Sequence, residues 1–144
     1  MSSKNSLATK LASLQGVQVL VVDDDFDSGN MYTSLLKSLD ATVVTVTSVK
    51  EAVETLNWLT PNILVCETGL LGDEGYILVK KLRSIEVDTG KHVPAIATTA
   101  LPAKNLNLIL EVGFAGYLLK PFDPEKLVIM IKQILTSMIR QLLR

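Results

Sequence analysis

From Val17 onward the chain repeats one pattern about five times: a short apolar run rich in β-branched residues, a turn, and an amphipathic stretch of helical period. Alternation of this kind specifies an α/β fold, because each strand is followed by a helix that must cross over and pack back on the sheet. The runs VQVLVV (17 to 22), TVVTV (42 to 46), NILVC (62 to 66), VPAIAT (93 to 98) and AGYLL (115 to 119) are the expected strands. The first, third and fifth are almost continuously apolar, as strands covered on both faces are. Right-handed crossovers then give a doubly wound parallel sheet with its crevice at the carboxyl ends of the strands.

Helix start and stop signals sharpen the assignment. Ser48 followed by Glu51 forms a capping box ahead of Ala52, Val53 and Leu56. Asp123-Pro124 places an N-cap acid before a first-turn proline, so the last helix begins there. Pro102 is expected to open the helix carrying Leu106, Ile109 and Leu110, which Gly113 then ends. Trp58 is expected to pack at a helix end.

At 144 residues, with 48% apolar and 20% charged side chains, the chain has the size and balance of one globular domain. Residues 1–15 read as an extension, either a short amphipathic helix through Leu7, Leu11 and Leu14 or a disordered segment, and 16–144 as the domain proper. The opening residues lack the apolar core of a signal peptide, and no apolar run reaches the roughly 18 residues of a membrane span. Fourteen basic against fifteen acidic residues give no electrostatic support for nucleic acid binding. A single cysteine, Cys66, excludes an internal disulfide and reads as a buried thiol in a reducing compartment, so a cytoplasmic location is expected.

The strand ends collect the polar chemistry. Asp23, Asp24 and Asp25 follow the first strand, Glu67 the third, Thr98 and Thr99 the fourth, and Lys120 the fifth. Nothing in strand or helix formation requires this convergence, so the rim is the expected site. Adjacent aspartates repel unless a cation lies among them, and Mg²⁺ prefers a few carboxylates plus waters. A metal, a lysine and a hydroxyl around one carboxylate suit phosphoryl transfer, which depends mostly on positioning and charge neutralisation. In that chemistry the acid at the position of Glu67 is the nucleophile.

VLVVDDD, the strand-end acid before a glycine-rich loop ending in GY, PAIATTA and GYLLKPFDPEKL occur in the order and at about the spacing of response regulator receiver domains, which this chain resembles from residue 16 to about 136. The resemblance implies a five-stranded parallel sheet of flavodoxin-like topology, strand order 2-1-3-4-5. It implies that Asp23, Asp24 and the backbone carbonyl of Gly69 hold Mg²⁺. It matches Thr99 to the hydroxyl residue that contacts the phosphoryl group, Tyr117 to the aromatic that moves with it, and Lys120 to the lysine that pairs with the acceptor. The bond between Lys120 and Pro121 is expected to be cis.

Two residues depart from the family. Glu67 stands where the phosphoacceptor aspartate belongs, and Leu71 where a proline commonly stiffens the loop. The added methylene carries the carboxylate about 1 to 1.5 Å further into the pocket, and errors of ~1 Å in a reacting group cost on the order of a hundredfold in rate. Glu67 is therefore expected within salt-bridge range of Lys120. It either imitates the phosphorylated state or holds one resting conformation, with slow phosphorylation as the remaining alternative.

The resulting expectation is a stand-alone pseudo-receiver in two-component or phosphorelay signalling. It acts through protein contacts rather than as an enzyme, beyond residual autophosphorylation and dephosphorylation, and binds Mg²⁺ weakly or not at all. Its expected partners are a histidine kinase or phosphotransfer protein and a downstream signalling protein, with no nucleic acid and no membrane. The last helix, apolar over more than one stripe, adds a homodimer surface. His92 reads as an exposed loop residue, and Asp73 and Glu74 as solvated acids in a helix's first turn. A haloacid-dehalogenase-like phosphatase is a remote alternative, because the order of its lysine and late acids does not match. A dinucleotide-binding domain lacks its glycine fingerprint.

Overall fold

The structure is a computed structural model that describes residues 13–67, 75–99 and 106–143. Five strands, β1 (Gln18–Val22), β2 (Thr42–Val46), β3 (Ile63–Glu67), β4 (Ala95–Thr99) and β5 (Gly116–Leu119), form one parallel sheet. The order is β2-β1-β3-β4-β5. Five helices alternate with them: α1 (Phe26–Ser38), α2 (Val49–Thr55), α3 (Gly75–Thr89), α4 (Leu106–Val112) and α5 (Pro124–Leu142). This is the doubly wound parallel sheet expected from the alternation, in the flavodoxin-like strand order that the resemblance implied.

Successive strand residues face opposite sides, and the two resulting rows build two cores. Val19, Val21, Ile63, Val65 and Ile96 meet Tyr32 and Leu36 of α1 and Leu127, Val128 and Ile131 of α5. Leu20, Val22, Leu64, Cys66 and Ala97 meet α2, α3 and Phe114 on the other side. The five residues of β4 are all buried, whereas β5 is only partly covered. The apolar run at 115 to 119 therefore belongs to an edge strand, with Leu119 exposed, rather than to one buried on both faces.

The local signals act as their chemistry dictates. The Ser48 hydroxyl accepts the Glu51 N–H, although the Glu51 carboxylate turns to the Thr47 hydroxyl instead of closing the capping box. Asp123 accepts the Glu125 N–H and so caps α5, with Pro124 in its first turn. Gly113 ends α4 at φ +126°, a backbone conformation costly for residues with a Cβ. Pro102 lies outside the described residues, as do Leu7, Leu11, Asp73 and Glu74. Leu14, placed by its sequence in the extension, is buried in the α1/α5 core, and its N–H bonds the Leu39 carbonyl. Trp58 corrects another expectation: it lies just past α2 and is 74% exposed, because the turn there points away from both cores.

Candidate functional site

The parallel register brings the strand ends to one rim. Val22 pairs with Cys66, so Asp23 and Glu67 leave adjacent strands at the same level. Glu67 in turn pairs with Thr98. The Lys120 N–H bonds the Thr99 carbonyl, which brings the lysine beside the end of β4. Asp23, Glu67, Thr98, Thr99 and Lys120 thus share the carboxyl edge of four neighbouring strands.

Asp23 is the centre of this rim. It is 5% exposed, and its carboxylate accepts three hydrogen bonds from the protein. Oδ1 accepts the Asp25 N–H at 2.8 Å. Oδ2 accepts two donors, the Tyr32 hydroxyl at 2.5 Å and Lys120 Nζ at 3.0 Å. Here the structure corrects the expected pairing: Lys120 bonds Asp23, and Glu67 makes no ion pair among the described residues. Burial explains the choice. An isolated charge in a protein interior costs far more than one near water, and Asp23 is buried where Glu67 is half-buried.

The electrostatics of the neighbourhood follow from the same crowding of acids. Burial first, then the charges of Glu67 and Asp23, push the Cys66 thiol well above its ordinary range. It stays protonated and unreactive, a structural side chain as its apolar run suggests. Burial and the bond to Asp23 likewise push the Tyr32 hydroxyl up, so it remains a donor.

Asp24 is exposed beside Asp23, Thr99 is buried at the end of β4, and Tyr117 is partly buried against the α2–α4 core. The bond between Lys120 and Pro121 is cis. Gly69 and Leu71 lie outside the described residues. His92 is exposed and bonds Glu86 through Nδ1, and it precedes β4, whose opposite end forms the rim.

No three acidic, histidine or cysteine side chains enclose a cation site among the described residues. Mg²⁺ does not demand such a cage; it keeps several waters and takes one or two carboxylates. Asp23 and Asp24 supply hard oxygens, one held and one open to solvent, and so fit that ion. Lys120 is its competitor for Asp23.

Tyr32 is the site residue that sequence reasoning missed. It stands four residues before Leu36 on the core-facing stripe of α1, where an aromatic reads as packing. The available signal was its hydroxyl, since a buried tyrosine needs a partner for its polar end. Its ring also stacks on Phe122, with centroids 5.9 Å apart.

Comparison with known proteins gives concordant results. A family model described as response regulator receiver domain matches residues 19–132. A 14.6 kDa protein of Leptolyngbya boryana is 32% identical over 124 residues, which cover 85% of this chain and 93% of that one. The response regulator SaeR of Staphylococcus aureus is 31% identical over 121 residues, 83% of this chain and 51% of SaeR, so the chain spans about half of that relative. Among solved structures, a putative response regulator from Chloroflexus aurantiacus aligns with a TM-score of 0.72 at 30% identity, covering 83% of this chain and 98% of its own. The receiver domain of a sensor histidine kinase from Pseudomonas aeruginosa, with a magnesium ion coordinated in its active site cleft, aligns with a TM-score of 0.72 at 25% identity over 84% of this chain and 98% of that one.

Proposed function

Because the chain belongs to the response regulator receiver domain family, we propose that it is a pseudo-receiver of two-component signalling, working through protein contacts without accepting a phosphoryl group. The observation that supports this most is the state of the rim: Glu67 stands at the acceptor's strand end, while Lys120 is already committed to Asp23. In this reading Asp23, Asp24 and the Gly69 carbonyl form the cation site, and the likeness to a magnesium-containing receiver supports that assignment. Bound Mg²⁺ supplies charge neutralisation at the rim. Thr99, Tyr117 and Lys120 keep the places of the phosphoryl-contact and switch residues, and Glu67 provides a fixed negative charge among them. One charge and two oxygens against nearly two charges and three oxygens make this at best a partial phosphate mimic.

The test is direct. Incubated with acetyl phosphate and Mg²⁺, the protein should show no mass gain of one phosphoryl group. A gain that maps to Glu67 returns the chain to the conventional phospho-accepting class.

The partner-facing part of this reading rests on α5. Ile129, Ile139 and Leu142 are exposed on a 19-residue helix, beyond the stripe that Leu127, Val128 and Ile131 bury. We assign this apolar tail to self-association or to capture of a histidine kinase, phosphotransfer protein or downstream component. Sedimentation at micromolar concentration should show a dimer that Met138→Ser, Ile139→Ser and Leu142→Ser together dissolve. A monomer unchanged by these substitutions removes the homodimer.

A further inference from the structure

Three donors converge on Asp23, and the strongest geometry belongs to a residue outside the family's site. The Tyr32 hydroxyl approaches Oδ2 at 2.5 Å, the short end of the range for a hydroxyl bonded to a carboxylate. Tyr32 is 1% exposed, so the hydroxyl is held out of bulk solvent. The same side chain stacks on Phe122, two residues beyond Lys120, and so ties the acidic loop after β1 to the segment that delivers the lysine.

We propose that Tyr32 is a positioning residue of the acidic rim: its hydroxyl holds Asp23 in the cation-free arrangement, against Lys120, and thereby weakens the rim's hold on a divalent cation. The inference rests on the reading of Asp23 and Asp24 as the cation site.

The direction follows from acceptor capacity. A carboxylate offers about four acceptor positions, and the Asp25 N–H, Tyr32 and Lys120 fill three of them. A cation that coordinates Asp23 withdraws electron density from its oxygens, so a hydrogen bond to them is worth less in the bound state than in the free one. The hydroxyl therefore stabilises the cation-free protein more than the cation-bound protein. Removing it leaves a buried carboxylate short of a donor, a deficit that a divalent ion corrects. The phenol acts as a brake on the site.

Tyr32→Phe isolates the hydroxyl, because the ring that packs against Leu36 and Phe122 is retained. With Mg²⁺ alone as the probe, titration followed by the amide resonances of Asp23, Asp24 and Asp25 should show the variant binding about tenfold more tightly than the natural protein, the size of one hydrogen bond to a charged group. Thermal unfolding supplies the readout that a purely structural role does not move. The metal-free variant should melt below the natural protein, and the deficit should shrink at saturating Mg²⁺, as linkage between cation and hydroxyl requires.

Should the variant not fold, the natural protein carries the test by itself: the Tyr32 ¹³Cζ resonance should move as Mg²⁺ saturates the site. Equal or weaker affinity in the variant, a melting deficit indifferent to Mg²⁺, or an unmoved Tyr32 resonance overturns the proposal. Binding by neither protein overturns it together with the assignment of Asp23 and Asp24, whereas phosphoryl labelling of Glu67 would strike only the pseudo-receiver reading.

Discussion

Glu67→Asp should gain one phosphoryl group from acetyl phosphate in the presence of Mg²⁺, seen as a single mass increase, under conditions where the natural protein gains none. The nucleophile in this chemistry must lie within near-attack distance of phosphorus while positive charge is held against the transferring oxygens. Asp23, Asp24, Thr99 and Lys120 are in place around the rim, so the acceptor's length is the difference. Shortening the side chain withdraws the carboxylate by the one methylene that separates it from an aspartate. Lys120 must then leave Asp23 to meet the phosphoryl oxygens, a move the lysine can make because its side chain is not fully buried. Equal labelling of both proteins makes Glu67 a working acceptor and ends the pseudo-receiver reading. Labelling of neither means that Leu71 or another change also disables the pocket, and the domain is then a fixed scaffold.

Ile131→Ala should lower stability by about 3 kcal/mol, while Ile139→Ala on the same helix changes it by less than about 0.5 kcal/mol. Ile131 is fully buried in the core shared with Val19, Ile63 and Leu36, where a truncated side chain leaves a cavity that rigid strands cannot close. Ile139 is 57% exposed and has little burial to lose. For a domain of this size the first change corresponds to a melting temperature lower by about 6–12 °C. Urea unfolding with an unchanged slope checks both. A large loss at Ile139 would mean that the tail is covered in solution, which would strengthen the case for self-association.

The two halves of α5 show why periodicity reads a fold well and a surface poorly. Leu127, Val128 and Ile131 follow the helical stripe and are buried, but the apolar residues continue after the sheet beneath them has ended. Spacing reports which side chains share a face; it does not report whether anything lies opposite. The same limit applies to Trp58, whose apolar ring suggests packing although the turn after α2 directs it into solvent.

The site divides in the same way. Which residues reach the rim was legible in the sequence, because a parallel sheet delivers the residue after each strand to one edge, and Asp23, Glu67, Thr99 and Lys120 occupy those places. The helix caps at Ser48 and Asp123 were legible for a related reason: each bond spans only two or three residues and needs nothing from the rest of the chain. Which partner Lys120 takes was not legible. Asp23 and Glu67 are equivalent as formal charges, and only the depth to which the fold buries Asp23, together with a Tyr32 hydroxyl brought to it from the core face of α1, makes its charge the one that most needs the lysine.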